Sequence, residues 1–248
     1  MRSIDIHAHL TPQCFIRAMQ TGKVWHGIQP GTMRIAPRAI WTPEQRLADM
    51  NSLGVDVHVL STGAAFYYYD GEATTVAAMH RECNDEVYQM TIDYPDRFKG
   101  LAQLPRQDPA TAIAEPDRAV TFASFVFGGV MDKCPDLKIC LAHGGGYTCY
   151  GIGRMDRGWQ VRSEARINIQ QPPSAYLKKF YYDCLTHSEA ALRYLIDTVG
   201  VDRVVFGTDW PADMAIDWPV SWVLSLESLT QAEKEAILWK NLEKLLGI

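Results

Sequence analysis

The chain has 248 residues, 47% of them hydrophobic and 21% charged, a balance that supports one folded core and excludes wholesale disorder. Lys and Arg are scattered and the net charge is −5, so the electrostatic footprint of a nucleic-acid binder is missing. No apolar run reaches the roughly 18 residues of a membrane-spanning helix; with no signal-like stretch in Met1 to Ile6, no membrane role and a cytoplasmic protein are expected.

In chain order, a β-branched run at Arg2–His9 opens the chain as a strand. Thr11–Ile40 follows as a long irregular insertion, its Pro12, Gly22, Gly27, Pro30, Gly31 and Pro37 spoiling any regular element. Thr42 then caps a helix that begins at Pro43 and stops at Gly54. Strand Val55–Thr62 leads to helix Thr74–Tyr94, and strand Phe98–Leu104 to helix Asp117–Lys133. Strands Leu137–Ala142, Phe180–Cys184 and Arg203–Gly207 complete a set of six, with helices over Ser188–Val199 and Thr230–Leu246. Strands alternating with helices predict a parallel α/β architecture in a single domain spanning 1–248. Six cysteines without any CxxC pair read as reduced, buried thiols.

The chemistry concentrates where strands end. In Ile4-Asp5-Ile6-His7-Ala8-His9, alternation puts Asp5, His7 and His9 on one face. A lone buried His is ordinarily a hydrogen-bonded core residue, but two imidazoles about 7 Å apart at their Cα atoms can share one divalent ion. Asp209 follows the last strand in Gly207-Thr208-Asp209-Trp210-Pro211; taken alone it reads equally as a turn residue, and with His7 and His9 it completes a ligand set. Beside an ion, its carboxylate could also accept a proton from a metal-bound water. His143 stands directly after a buried strand and before Gly144-Gly145-Gly146, where backbone can approach a ligand closely and an imidazole can move protons near neutral pH.

Together these residues resemble the metal-dependent amidohydrolase superfamily, in particular its branch of aminocarboxymuconate-semialdehyde decarboxylase and related aromatic-acid decarboxylases. The carriers are His7-Ala8-His9-Leu10-Thr11-Pro12, Gly100-Leu101-Ala102-Gln103-Leu104-Pro105, Phe127-Gly128-Gly129-Val130, Ala142-His143-Gly144-Gly145-Gly146 and Gly207-Thr208-Asp209-Trp210-Pro211, in family order over nearly the whole chain. The resemblance implies a TIM-like (β/α) barrel, with His7, His9 and Asp209 binding Zn2+ or, alternatively, Mn2+ or another divalent ion. It makes His143 the acid/base beside the metal-bound water. It also gives Arg154 the task of holding the substrate carboxylate from a neighbouring subunit, hence a homodimer. A second carboxylate-binding arginine is expected in the insertion, where Arg38 and Arg34 compete and both also read as solvated loop charges. His187 reads as a helix cap or a support to a ligand, while His26, His58 and His80 receive no role.

The implied activity is decarboxylation of a small unsaturated or aromatic carboxylic acid. A metal-dependent hydrolase of a lactone or amide is the neighbouring alternative, and an inactive barrel remnant serving as a partner subunit is the alternative of another class. The family barrel has eight strands, the fifth of which supplies another metal-binding His. Between Pro105 and Leu137 there is room for one crossover helix only, so the fourth and fifth βα units are missing. On the order of 80 residues are absent by the usual size of such units, with the junction near Glu115-Pro116.

Overall fold

The computed structural model describes residues 1–33, 35–68, 71–103 and 118–248 and divides into two compact units. The first comprises Met1–Ala112 with Thr208–Val223, the second Ile113–Gly207 with Leu224–Ile248.

In the first unit β1 (Ile4–Leu10), β2 (Val57–Thr62) and β3 (Phe98–Gly100) form a parallel sheet in the order β1-β2-β3. The middle strand β2 is covered on both faces, so Val57, His58, Val59 and Leu60 are all buried. A register shift between Asp5 and Ala8 interrupts the β1–β2 pairing and relaxes the strict alternation expected of β1.

Helices α1 (Gln13–Gln20), α2 (Pro43–Leu53) and α3 (Ala73–Asp93) also belong to this unit. α2 starts as expected: Thr42 Oγ1 accepts from the Gln45 N–H at 3.3 Å and Gln45 Oε1 from the Thr42 N–H at 2.9 Å. Such a reciprocal cap stabilises by about 1 kcal/mol. Gly54 closes the helix at φ 73°, a left-handed turn that glycine adopts at little cost.

The insertion over 11–40 departs from expectation, since it contains α1. Pro12 offers α1 no side-chain cap; Glu86 of α3 supplies it instead, accepting the N–H groups of Gln13 (2.5 Å) and Cys14 (2.8 Å). The remainder is anchored by packing. Phe15 meets the Trp25 ring at 5.4 Å and the Phe66 ring at 5.1 Å between centroids, over Val76, Met79 and Cys83 of α3. Spacing within 11–40 cannot reveal a cap and a core that arrive from residues 66–86.

In the second unit β4 (Cys140–Leu141), β5 (Tyr181–Asp183) and β6 (Val204–Val205) form another parallel sheet, in the order β4-β5-β6. The helix expected over Asp117–Lys133 is split by Gly128 and Gly129 into α4 (Arg118–Phe127) and α5 (Val130–Lys133), Gly129 standing at φ 71°. Asp117 lies outside the described residues. An additional helix, α6 (Thr148–Val161), had been hidden by Gly151, Gly153 and Gly158. α7 (Glu189–Val199) starts at a Ser188 cap. α8 (Pro219–Ser225) belongs to the first unit as far as Val223; in the second unit the last expected helix is realised as α9 (Gln231–Glu235) and α10 (Asn241–Leu246), joined by a π-helical stretch at Ala236–Lys240.

All six expected strands exist. The described strands form two sheets of three where the sequence reading expects one barrel. The expected junction at Glu115-Pro116 lies outside the described residues.

Candidate metal centre

The C-terminal end of β1 and the segment after β6 meet within the first unit. The Asp209 N–H donates to the His7 carbonyl at 2.8 Å and the His9 N–H to the Trp210 carbonyl at 2.6 Å. These two bonds fix where the side chains of His7, His9 and Asp209 start. The His7 and His9 rings stand nearly perpendicular, 85° apart with centroids at 5.0 Å, and each Nε2 lies 3.2 Å from the same oxygen, Asp209 Oδ1. Asp209 reaches this position with φ 63°, left-handed backbone that costs a non-glycine residue on the order of 1–2 kcal/mol.

Two imidazole nitrogens and a carboxylate oxygen converging on one point, with the side chains only partly covered, are donors suited to a divalent ion. Ser61 Oγ lies 3.2 Å from His9 Nδ1 and steadies the ring from its far side, leaving Nε2 turned toward Asp209. Burial draws the His9 pKa down, against the hydrogen bond to Asp209, which raises it; the ring is thereby kept in the neutral form that ligation needs.

Beneath these three side chains sits Asp5, which is fully buried. Its carboxylate accepts from the His7 N–H (2.9 Å), the Thr208 N–H (3.1 Å) and the Thr208 hydroxyl (2.6 Å), tying β1 to the segment that carries Asp209. Burial pushes the Asp5 pKa up to about 6, with the Thr208 hydroxyl opposing.

Beside Asp5, His58 is equally buried and its pKa is held well below the ordinary value, first by burial and then by Arg46. Arg46 is drawn down to about 9 by burial and remains charged at neutral pH. Since arginine only donates, the contacts of its Nε (3.3 Å) and Nη2 (3.1 Å) make His58 Nδ1 an acceptor and put the ring proton on Nε2. That nitrogen stands 3.5 Å from Asp5 Oδ2, within ion-pair range yet too long for a full hydrogen bond; with His58 neutral, the contact is a dipole facing a carboxylate. Neither Asp5 nor Arg46 was assigned a role from sequence. The available signal is a carboxylate inside a buried strand and an arginine on the inner side of α2.

Arg38 does not join His7, His9 and Asp209. It lies 3.8 Å from Asp49 and over the Trp41 ring, facing a cavity of about 300 Å³ that also touches Arg17, Arg46, Asp93 and Trp210. Arg34 lies outside the described residues. In the second unit, His143 is exposed at φ 55°, two residues beyond β4. The Gly144 N–H behind it donates to the buried carboxylate of Asp183 at 2.8 Å, which pins the turn. Arg154 is exposed on α6. His187, also left-handed at φ 52°, precedes α7, but Ser188 supplies the cap by accepting the Ala191 N–H. His26 pairs with Glu82 at 3.1 Å, and His80 Nε2 lies 3.1 Å from the Phe66 carbonyl.

Fold and site thus define an α/β protein with a cluster of two histidines and one aspartate at strand ends. The chain belongs to the amidohydrolase family, whose model matches residues 4–126 and again residues 119–248. It is similar to the 2-amino-3-carboxymuconate-6-semialdehyde decarboxylase of Dictyostelium discoideum, 24% identical over 336 aligned positions that cover 99% of this chain and 91% of the relative. That aligned length exceeds the 248 residues of this chain, so the relative carries stretches with no counterpart here. Among solved structures, the 5-carboxyvanillate decarboxylase of Sphingomonas paucimobilis shares the fold with a TM-score of 0.81 at 20% identity, covering 100% of this chain and 99% of the other. A dihydroxybenzoic acid decarboxylase from Polaromonas sp. JS666, solved with bound manganese and the inhibitor 2-nitroresorcinol, gives 0.80 at 20% identity over 99% and 97%.

Proposed function

We propose that this chain is a metal-dependent decarboxylase of a small aromatic or unsaturated carboxylic acid. The observation that carries the reading is the convergence of His7 Nε2 and His9 Nε2 on Asp209 Oδ1. Membership of the amidohydrolase family and similarity to decarboxylases of aromatic acids support it.

His7, His9 and Asp209 would hold the ion, manganese being what the Polaromonas enzyme contains and zinc the other natural fit to these donors. When bound, a divalent ion supplies Lewis acidity, polarising an oxygen ligand and lowering the pKa of water. The chain's own residues divide the remaining work. Arg154, from a partner subunit in a homodimer, and Arg38 are assigned to the substrate carboxylate, which a guanidinium grips through two parallel hydrogen bonds. His143 is assigned the proton: as the carbon–carbon bond to the carboxylate breaks and CO2 departs, its imidazolium protonates the carbon left behind. The left-handed turn and the Asp183 anchor behind Gly144 support that role, because strained backbone persists where surrounding structure fixes it.

We also read the chain as a shortened barrel. The family matches meet over residues 119–126, next to undescribed residues 104–117, and the alignment to the Dictyostelium enzyme outruns this chain. The ion would then rest on three protein ligands, a number sufficient in known sites. Among the described residues no helix is long and apolar enough to cross a membrane.

The test is metal content together with turnover. Purified full-length protein loaded with Mn2+ or Zn2+ should hold about one ion per chain and release CO2 from dihydroxybenzoates or carboxyvanillate, and Asp209→Asn should lose both properties. Folded protein without stoichiometric metal refutes the reading. Product that retains the carboxylate carbon makes it a hydrolase, and bound metal without turnover on any acid makes it an inactive remnant.

A further inference from the structure

Arg46 projects from α2 into the first unit's interior and is 4% exposed. Burying a guanidinium is costly unless its surroundings compensate, and an apolar side chain of similar volume is commonly the more stabilising choice at such a position. Among the described residues no carboxylate hydrogen-bonds to it; Asp5 and Asp49 act on it only through space. Its hydrogen bonds go elsewhere. Nη1 donates to the His9 carbonyl at 2.9 Å, while Nε and Nη2 reach His58 Nδ1. Its planar face lies 3.9 Å from the centroid of the Trp210 ring, whose own N–H is held by Asp49 Oδ2 at 2.9 Å.

These contacts fall on both sides of the ligand set. His9 is a ligand and Trp210 follows another, Asp209; the same two residues are joined by the His9 N–H to Trp210 carbonyl bond. One rigid guanidinium therefore grips the strand end that carries two imidazoles and the ring beside the residue that carries the carboxylate. A charge retained inside the fold without a direct acid partner is explained if its task is to hold that junction.

We infer that Arg46 is a positioning residue of the metal centre, fixing the spacing between the His7–His9 strand end and Asp209. The inference rests on the reading of His7, His9 and Asp209 as ligands. In this role Arg46 acts through the His9 carbonyl and the Trp210 ring. Lysine keeps the charge and can reach one acceptor, but it lacks the planar fork that meets two acceptors while stacking on a ring.

The experiment compares wild type, Arg46→Lys and Arg46→Met as full-length, metal-stripped chains. Mn2+ affinity is measured by competition with a chromophoric chelator, the visible spectrum of the Co2+-loaded forms reports ligand geometry, and metal-free thermal stability is recorded separately. Expected is a loss of Mn2+ affinity of about 10–100-fold in Arg46→Met, the range found when residues supporting metal ligands are removed. A smaller loss is expected in Arg46→Lys, with an altered Co2+ spectrum in both. If wild type binds no Mn2+ at one per chain, the parent reading fails. If wild type binds and the variants match its affinity and Co2+ spectrum, whatever their stability, Arg46 is structural and the inference alone is overturned. Should Arg46→Met not fold, Arg46→Lys decides by the same two readouts.

Discussion

Replacing Thr208 by Val removes a hydroxyl while keeping the shape of the side chain, and two buried hydrogen bonds go with it. The hydroxyl donates to Asp5 Oδ2 at 2.6 Å and accepts the Trp210 N–H at 3.1 Å, and all three residues are buried. A hydrogen bond to a charged group contributes about 1.5–3 kcal/mol, and a buried N–H left without a partner costs about 1–3 kcal/mol. Relaxation overlaps the two effects, so the expected loss is roughly 3–5 kcal/mol. Thr208→Ser keeps both bonds and loses only a methyl group, for about 1 kcal/mol. Urea denaturation of metal-free protein at neutral pH, followed by tryptophan fluorescence, measures both variants. A Val variant within 1 kcal/mol of wild type, or Val and Ser variants equally damaged, would show that the Asp5–Thr208 bond does not hold the Asp209 segment to β1.

His58 and Asp5 predict a pH dependence of opposite sign. His58 is neutral when folded, with its pKa depressed, so its contribution is complete above the unfolded value of 6.5 and is lost as pH falls. Asp5, raised to about 6, contributes fully below its unfolded value of 3.8 and loses that contribution as pH rises through 6. His58→Asn keeps an acceptor for Arg46 and removes only the first dependence; between pH 7.5 and 5.5 wild type should lose about 1 kcal/mol relative to the variant. Parallel profiles would contradict a neutral, buried His58. In the second unit, Gly145→Ala must place a Cβ 2.7 Å from the Tyr182 ring at φ 74°, while Gly153→Ala meets nothing within 4 Å. The first should lower Tm by roughly 4–10 °C, from about 2–3 kcal/mol of strain, and the second should leave it unchanged or raise it. Equal Tm shifts would mean that the glycine turn after His143 is not closely packed.

What sequence reveals here follows the range over which each feature is determined. The convergence of His7, His9 and Asp209 is legible because His7 and His9 share one strand and Asp209 follows another, and strand ends are where parallel folds present reactive groups. α2 is legible because Thr42, Pro43, Gln45 and Gly54 carry its start and stop within their own segment. α1 is not, because its cap is Glu86 and its packing partner is Phe66. α6 is obscured by three glycines that local propensity counts against a helix. Asp5 and Arg46 escape for a related reason: periodicity shows which positions face inward, but only the folded chain shows what a buried charge touches there.

The bond between Asp5 and Thr208 spans 203 positions of sequence, and the first unit draws on both Met1–Ala112 and Thr208–Val223. At about 5–20 residues per second, a ribosome needs roughly 10–40 s to deliver the second half of that clasp after the first. Through that interval the opening strand carries a carboxylate whose distant donors have not been made, and any fragment ending before Thr208 would carry it permanently. The cluster of His7, His9 and Asp209 therefore cannot form until the nascent chain has been extended through Asp209.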